Sequence, residues 1–201
     1  MQHLTCINNP EAAKKQLGQV HLPTGNIIAC DPLGNPTQAF SQTVPAGDYE
    51  VQIYTQEGEH AIACLRFSEA EATRFELATR PNEDVSTLAP DQFFGYGTDT
   101  GLGCFMDETT ASLLKTHIEE VQTEQGEAFI SYYDSVIDPL MAETRDYSQL
   151  NFRPHSHNPL NVLIFATGYG DGFYPCYWAW DKDGNLVALL TDFLIISSTE
   201  Q

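Results

Sequence analysis

Basic residues are scarce in this sequence. Its 201 residues include 9 Lys and Arg against 28 Asp and Glu, which gives a formal net charge of -19 at pH 7. Most of such a surface would repel a nucleic-acid phosphate backbone or an anionic membrane. We therefore expect no nucleic-acid partner and no membrane partner. The charge favours a cationic partner, either a basic protein surface or a metal ion.

The sequence also lacks closely spaced cysteines and long apolar runs. No two of its five cysteines form a CxxC pair, which argues against a zinc site. No apolar run approaches the ~20 residues that a membrane-spanning helix needs. The first residues, "MQHLTCINNPEAAKKQ", lack the charged-then-apolar pattern of a signal peptide. These absences predict a cytoplasmic protein with reduced thiols, without a metal and without a cofactor.

The apolar content is sufficient for one sizeable core. Hydrophobic residues make up 42% of the chain and aromatic residues 11%. A chain of this length is large for one domain but lies within the usual range. We therefore predict a single domain over residues 1–201.

Alternating apolar residues in the first half of the chain predict strands. The stretch "YEVQIYT" (49–55) alternates apolar and polar side chains, which is the period of a half-buried strand. The run "AIACLRF" (61–67) is its expected antiparallel partner, and "TRFELAT" (73–79) is the expected third strand of a meander. Breakers on both sides of "IIAC" (27–30) mark a further short strand.

The middle of the chain has helical spacing. Asp107 is suited to cap a first helix, because its side chain can accept hydrogen bonds from the free amides of the first turn. Apolar residues then recur at helical spacing until Gly126. A second helix is predicted over 127–138, and Pro139 ends it because the residue before a proline disfavours helical backbone. Strands on both sides of this central helical pair predict a strand-rich α+β domain with an antiparallel meander and hairpins.

The glycine-rich stretch "GYGDGFYPCYW" (168–178) suggests three different kinds of turn. A dinucleotide phosphate loop is excluded, because its third glycine would fall on Phe173 and no helix follows. A calcium loop would use the nearby "DKDGN", but its sixth position, where glycine is required, holds Leu186. The Asp183-Gly184 pair between two apolar runs instead predicts a β-hairpin.

The predicted hairpin makes the glycine-rich stretch a corner between a strand at 161–167 and the first arm of the hairpin. Gly168, Gly170 and Gly172 are then structural glycines, and we expect a positive φ at Gly170 or Gly172. Asp171 is interpreted as a turn residue whose carboxylate bonds nearby amides.

The segment "YSQLNFRPHSHNP" (147–159) has no periodicity and is predicted to be a loop. His155 and His157 would project to one side of an extended chain, as a pair of metal ligands does. No third ligand is evident in the sequence, so we predict no metal site at these histidines.

Four motifs carry a resemblance to a known family. They are "LPTGNIIACDPL", "VPAGDYEV", "GYGTDTGLGCFMD" and "GYGDGFYPCYWAWDKDGNLVALLTDF", which occur in this order between positions 22 and 193. In these motifs the chain resembles the bacterial family catalogued as domain of unknown function 4241. The resemblance implies one compact, strand-rich α+β domain and supplies no activity. The chain departs from the family pattern at Ala179-Trp180, because the pattern has glycine after the tryptophan, and this departure concerns only the local turn.

The glycine-containing motifs also contain four aspartates, which are Asp99, Asp107, Asp171 and Asp192. If the motifs meet in space, these carboxylates would form a polar cleft that binds a cation or activates water, as paired acids do in hydrolases. Each aspartate has an alternative use as a turn or cap residue. Because no nucleophile and base can be paired from their spacing, we name no catalytic residue and favour a protein that is not an enzyme.

A second group of acids lies on the helical segment. Glu119, Glu120, Glu124 and Glu127 cluster along its outer side, either as a solvated face or as a surface that binds a partner. With the net charge, they favour an acidic cytoplasmic binding protein, in particular an immunity protein that neutralises a basic antibacterial toxin. The alternatives are a small hydrolase that uses the carboxylate cleft and a housekeeping protein. The oligomeric state stays open.

Overall fold

The structure, a computed structural model, describes residues 2–34 and 38–196. Within these residues the chain forms eleven strands and two α-helices. The strands are β1 (Lys14–Leu22), β2 (Ile27–Cys30), β3 (Gly47–Gln56), β4 (Glu59–Arg66), β5 (Arg74–Leu77), β6 (Gly95–Thr98), β7 (Leu102–Asp107), β8 (Gln149–Phe152), β9 (Val162–Ala166), β10 (Gly172–Trp180) and β11 (Leu186–Asp192). The helices are α1 (Glu108–Gln125) and α2 (Asp138–Thr144). The α+β class predicted from the sequence is confirmed.

The larger of the two sheets has seven strands. Its order is β1-β3-β4-β11-β10-β5, and β6 pairs with a different part of β10. All of these pairs are antiparallel. The strands predicted at 49–55 and 61–67 are confirmed as β3 and β4, which form a hairpin.

The strand predicted at 73–79 is present as β5, but the prediction that it pairs with β4 as the third strand of a meander is wrong. Arg74 of β5 lies opposite Trp180 of β10, and the second neighbour of β4 is β11. Burial explains this order, because every residue of β11 after Leu186 is buried whereas β5 is half exposed. A continuously apolar strand takes a central position in a sheet, and a short half-exposed strand suits the edge.

The smaller sheet has the order β2-β7-β9-β8 and is antiparallel throughout. It confirms the strands predicted at 27–30 and 161–167. The loop predicted at 147–159 is wrong in its first part, because β8 lies within it and pairs with β9. Leu150 and Phe152 are buried and alternate with more exposed neighbours, but four residues are too few for a period to be recognised from sequence.

The two sheets pack face to face, and their facing side chains form the main core. Phe105 of the smaller sheet and Trp178 of the larger sheet both belong to it. A second core, which contains Leu114 and Met141, lies between the smaller sheet and the helices. A third core covers the outer face of the larger sheet, where the 3-10 helix Gln2–Asn8 packs. The helices therefore form a separate layer on one outer face of the molecule.

The first helix begins and ends as predicted. Asp107 caps α1 by accepting a hydrogen bond from the Thr109 amide at 2.9 Å, and Gly126 ends it with a φ of 54°. The prediction that Pro139 ends a second helix is wrong. A π-helical turn, Tyr133–Ile137, leads directly into α2, and Pro139 lies in the first turn of α2. Proline is tolerated there because the first turn of a helix does not need the backbone N–H that proline lacks.

The hairpin predicted from Asp183-Gly184 is confirmed as β10 and β11. The Asp181 carboxylate accepts hydrogen bonds from the Asp183 amide at 2.9 Å and from the Asn185 amide at 2.8 Å. The acidic and amide side chains of this segment therefore hold the turn of the hairpin.

The described residues contain no assembled set of metal ligands. Within 2–34 and 38–196, no three His, Cys, Asp or Glu side chains come close enough to hold a metal ion. His155 and His157 are among these residues. None of the helices in the same part of the chain has the length and apolar character needed to cross a membrane.

Candidate functional site

The two glycine-rich motifs meet at one end of the sheets. Thr98, the last residue of β6, pairs with the first residue of β10. Beyond this pair, the Thr167 amide donates a hydrogen bond to the Gly101 carbonyl at 2.9 Å. Residues 99–101 and 167–171 therefore lie side by side, and we call them the motif loops.

The glycines at the second motif loop stand where other residues fit poorly. Gly168 and Gly170 have φ angles of 23° and 101°, a left-handed backbone that favours glycine. A Cβ at Gly172 would lie 2.8 Å from the ring and hydroxyl of Tyr174. The Tyr174 hydroxyl donates to the Gly170 carbonyl at 2.7 Å. The geometry at all three glycines is that of a tight corner between two strands.

Asp31 anchors the first motif loop, although sequence reasoning does not identify it. Its side chain is nearly buried, at 5% exposure. One carboxylate oxygen accepts hydrogen bonds from the Asp99 amide at 3.1 Å and from the Thr100 hydroxyl at 2.9 Å. The local pattern "CDPLG" indicates only a turn, and the carboxylate does accept the Leu33 amide at 2.9 Å as turn aspartates do. Its contact with a loop 68 residues away has no local signal.

Arg80 is a second anchor that the sequence does not reveal. Its side chain is 7% exposed and lies beside Glu83, with 3.6 Å between guanidinium and carboxylate. The guanidinium donates hydrogen bonds at 3.0 to 3.1 Å to the carbonyls of Ala29, Gly95 and Gln38. It thereby links β2, the start of β6 and the segment that follows β2. Its removal would leave these carbonyls without their charged donor.

The four aspartates of the predicted cleft lie in three different surroundings. Asp99 and Asp171 are exposed and adjoin each other just beyond the end of the β6–β10 ladder. Asp107 lies at the opposite end of β7, about 17 Å along that strand from the first motif loop. Asp192 contacts His3, which belongs to the 3-10 helix on the outer face of the larger sheet. The fold therefore brings two of the four aspartate residues to the same end of the β6–β10 ladder and places the other two elsewhere.

The two buried aspartates each have structural partners. Asp107 accepts hydrogen bonds from the amide and hydroxyl of Thr24 at 3.0 and 2.8 Å, and from the amide and hydroxyl of Thr109 at 2.9 and 2.6 Å. Asp192 lies 2.6 Å from Nε2 of His3. Asp107 is therefore used to cap α1, and Asp192 is used to fix the 3-10 helix to the sheet. By contrast, the prediction that the Asp171 carboxylate bonds nearby amides is wrong, because it accepts no hydrogen bond from the described residues.

All five cysteines are free thiols, and four of them are buried. Burial raises the pKa of Cys64 and of Cys176 to about 12. Burial, with the nearby charge of Asp192, raises the pKa of Cys6 to about 11. These thiols stay protonated at neutral pH, so none of the three is an activated nucleophile.

The four glutamates predicted to bind a partner lie on exposed helical surface. Glu119, Glu120 and Glu124 belong to α1, and Glu127 lies in the turn after it. The first three line a shallow groove of about 340 Å³ together with two threonines of α1. Within the described chain, no Lys, Arg or His nitrogen lies within 4.0 Å of any of the four carboxylates. We call these four residues the acidic face.

The acidic face belongs to a helical layer that is acidic throughout. Residues 108–144 contain eight Asp and Glu and one basic residue, Lys115. The same layer presents Ile130, which is 83% exposed, in the connection between the two helices. An apolar side chain is therefore exposed in the same layer as these acidic residues.

Two glutamates of the acidic face stand where they destabilise α1. Glu120 and Glu124 are four residues apart, a spacing at which like charges on a helix repel each other. The last turn of α1 contains Glu124 and no basic residue. Because the C-terminal end of a helix dipole is negative, it disfavours a carboxylate at this position. The stability of α1 alone gives no reason for these charges.

A histidine pair lies next to the acidic face. Nδ1 of His117 is 2.6 Å from the Tyr132 hydroxyl, and the rings of His117 and His155 meet edge-on with their centroids 5.5 Å apart. Burial and, to a smaller extent, the charge of His155 lower the pKa of His117, whereas Glu120 and Glu124 act in the opposite direction. His155 therefore packs against the ring of His117.

These features define a class of protein, a layered α+β domain with two antiparallel sheets and an acidic helical layer. The chain belongs to the family described as "Protein of unknown function (DUF4241)", whose model matches residues 20–191. The resemblance of the four sequence motifs is thereby confirmed. No curated protein matches the chain. No solved structure matches it either.

Proposed function

We propose that this protein is an acidic cytoplasmic binding protein whose acidic face engages a basic surface of a partner protein. The observation that carries the proposal is the position of Glu120 and Glu124, which weaken α1 and have no neutralising cation within 4.0 Å among the described residues. Departures from local stability rules concentrate at functional surfaces. A cationic partner would turn this unfavourable arrangement into a favourable one.

The partner that fits this charge best is an antibacterial toxin that acts on nucleic acids or nucleotides. Such a toxin needs a basic cleft to hold the phosphates of its substrate. An acidic protein that enters the cleft blocks it, and this is the action of an immunity protein. The net charge of -19 also accelerates the encounter with a cationic cleft.

Ile130 adds an apolar contact to the proposed interface. Protein interfaces combine an apolar centre with a polar rim, and the rim charges act mainly on the rate of association. The 83% exposed side chain of Ile130 is large enough to be buried by a partner. We infer that Ile130 acts on the dissociation rate and that the glutamates act on the association rate.

The proposal is tested by capturing partners from native cells with the tagged protein and measuring their binding kinetics at increasing salt. Association should slow markedly as the Debye length falls to ~10 Å and below. The double variant Glu120→Lys/Glu124→Lys should lower the association rate constant by about tenfold and change the dissociation rate less. A partner whose association is indifferent to salt would contradict the proposal.

A matched control separates the acidic face from the net charge. Glu69 and Glu71 are exposed and lie in a loop that packs on the third core, on the opposite side of the molecule from the helices. The variant Glu69→Lys/Glu71→Lys changes the net charge by the same amount and should retain most of the association rate. Equal losses in both double variants would rule out a specific acidic face.

The immunity role has its own test. Expression of the captured partner alone should arrest the growth of a susceptible bacterium, and co-expression of this protein should restore it. Co-expression of Glu120→Lys/Glu124→Lys should restore growth less well. A captured partner that does not arrest growth would refute the immunity role, although the proposed binding role would still stand.

A small hydrolase is the second candidate, and the adjacency of Asp99 and Asp171 is the observation that favours it. Two neighbouring carboxylates are able to polarise and deprotonate a water molecule. On this hypothesis, Asp99→Asn and Asp171→Asn would each abolish turnover of a small ester or phosphate ester and leave partner binding intact. The test is the turnover of p-nitrophenyl acetate and p-nitrophenyl phosphate by the wild type and by these variants. A wild type without turnover, or variants with unchanged turnover, would contradict the hydrolase hypothesis.

A further inference from the structure

A polar cleft lies at the open edge between the two sheets, on a different part of the surface from the acidic face. It measures about 450 Å³ and is bordered by the edge strands β1 and β8. Six of its lining residues are polar, namely Gln19, His21, Asp48, Asn151, Arg153 and Asn161. They come from four separate segments of the chain, so that no sequence motif marks the cleft.

The buried side chain of Asn161 fixes the positions of the residues around this cleft. Its side chain is 4% exposed. Its Oδ1 accepts the His21 amide at 2.8 Å, and its Nδ2 donates to the Gln19 carbonyl at 2.8 Å and to Asn151 Oδ1 at 2.7 Å. Because the backbone amide only donates and the backbone carbonyl only accepts, these partners determine the orientation of the Asn161 amide. Asn151 must then turn its oxygen towards Asn161, which leaves its Nδ2 as a donor for a ligand.

Strand β1 is irregular beside the cleft. Its register against β3 shifts between Gln16 and Gly18, and Gly18 has a φ of 120°. A Cβ at Gly18 would lie 3.3 Å from Nδ2 of Asn151. Bulges re-aim the side chains that follow them and are frequent next to binding sites. The bulge and the missing Cβ together give Asn151 its room at the edge of the cleft.

His21 is held in one orientation by Asp48. The two residues lie directly opposite each other on β1 and β3, with 2.6 Å between Nδ1 and Oδ1. An ionised carboxylate only accepts hydrogen bonds, so Nδ1 of the imidazole carries a proton. The other ring nitrogen, Nε2, is left to accept from a ligand when the ring is neutral and to donate when it is protonated.

Arg153 supplies the positive charge of the cleft. It is exposed, and no carboxylate within the described chain lies within 4.0 Å of it. The planar guanidinium of arginine matches the two oxygens of a carboxylate and binds them with two parallel hydrogen bonds.

We propose that this cleft binds a small hydrophilic molecule through a carboxylate group, with Arg153 and Asn151 donating to the carboxylate oxygens and His21 contacting a neighbouring polar group. The polar walls select a hydrophilic ligand, because apolar ligands need apolar walls. A carboxylate fits better than a phosphate, since one guanidinium balances one negative charge. Asp48 and the net charge of -19 would repel a dianion.

The test is a titration of the full-length protein with sodium acetate and with sodium lactate, two monocarboxylates, at constant ionic strength. The NMR signals of the Asn151 side-chain amide and of Arg153 Nε–H should shift and reach saturation with at least one of the two. The variant Arg153→Gln should bind at least tenfold more weakly. Lys182 is 78% exposed in the hairpin turn, so Lys182→Gln removes the same charge elsewhere and should bind like the wild type.

Further variants distinguish the guanidinium fork from simple charge. Arg153→Lys retains the charge and loses the fork, so its affinity should fall between those of the wild type and Arg153→Gln. Shifts that never saturate with either carboxylate, or an Arg153→Gln protein that binds as well as the wild type, would overturn the proposal. Saturable binding of inorganic phosphate without binding of either carboxylate would overturn it too. Partner association in Arg153→Gln should equal that of the wild type, which keeps this test separate from the proposed function.

Discussion

Individual buried charges hold the loops of this protein to its sheets. Asp31 accepts hydrogen bonds from the first motif loop, and Arg80 donates to carbonyls of three chain segments. A charged group is tolerated in a protein interior only when hydrogen bonds or an opposite charge compensate it. Both residues meet this condition, and they therefore set the position of the glycine-rich motifs relative to the strands.

The corner glycines lead to a prediction at the same scale. Gly170→Ala should lower the free energy of unfolding by about 1 kcal/mol or more, because its φ of 101° strains any residue with a side chain. Gly172→Ala should destabilise for another reason, since its Cβ would push Tyr174 away from its hydrogen bond to the Gly170 carbonyl. Urea unfolding of the purified variants measures both effects.

Gly97 provides the control for this prediction. It lies in the neighbouring strand β6, and a Cβ there would meet its nearest atoms at 3.8 and 3.9 Å, which is ordinary contact. The free energy of unfolding of Gly97→Ala should therefore differ from that of the wild type by no more than a few tenths of a kcal/mol. Unchanged stability in both Gly170→Ala and Gly172→Ala would refute the claim that the tight corner requires glycine at these positions.

His117 predicts a dependence of stability on pH. Burial and His155 lower its folded-state pKa below the ordinary 6.5, so the unfolded chain binds more protons in this range. Its contribution to stability is therefore fully present above pH 6.5 and is lost as the pH falls through the folded pKa. His117→Gln should show a smaller loss of unfolding free energy than the wild type between about pH 7 and pH 5. Parallel pH profiles for the two proteins would contradict this assignment.

At the scale of elements, α1 combines a good N-terminus with an unfavourable C-terminus. Asp107 caps its first turn and Gly126 ends it, whereas Glu124 opposes the dipole in its last turn. The helix is held instead by burial of Ala111 and Leu114 against the smaller sheet. Packing against the sheet leaves the outer side of α1 free to carry charges that an isolated helix would not favour.

This arrangement predicts that neutralising the acidic face stabilises the fold. Glu120→Gln/Glu124→Gln should raise the melting temperature by about 2 °C, because it removes one like-charge pair and one unfavourable dipole interaction. The gain should disappear in 1 M salt, which screens exposed charges. Glu69→Gln/Glu71→Gln should show no comparable gain, and a lower melting temperature for the α1 variant would contradict the physical basis of the proposed function.

At the scale of the whole molecule, the described residues form two sheets, a helical layer on one outer face and a 3-10 helix on the other. Its three cores are built from apolar side chains, and the described residues contain no assembled metal-ligand set. The hydrophobic contacts of these cores are sufficient to account for a stable domain of this size.

The layered cores predict that folding needs no metal ion. Dialysis against a chelator should leave the melting temperature unchanged, because no carboxylate cluster in the described chain depends on a cation for its stability. Melting curves before and after dialysis measure this. A large fall that one divalent ion reverses would contradict the prediction and would revive the carboxylate cleft of Asp99 and Asp171.

The amino-acid sequence by itself determined the features that depend on a few neighbouring residues. The Asp183-Gly184 turn, the Asp107 cap and the alternation of β3 and β4 are all visible locally, because turn and cap preferences arise from contacts within about four residues. The acidity that limits the partners is likewise a property of composition alone.

Only the tertiary structure decided which distant segments meet. The place of β5 beside β10, the bonds of Asp31 and Arg80, and the separation of Asp107 from Asp99 all depend on which strands are buried at the centre. The polar cleft depends in the same way on Asn161 reaching across to β1. Such pairings result from competition between all apolar segments for the same interior, and no short stretch of sequence contains the outcome of that competition.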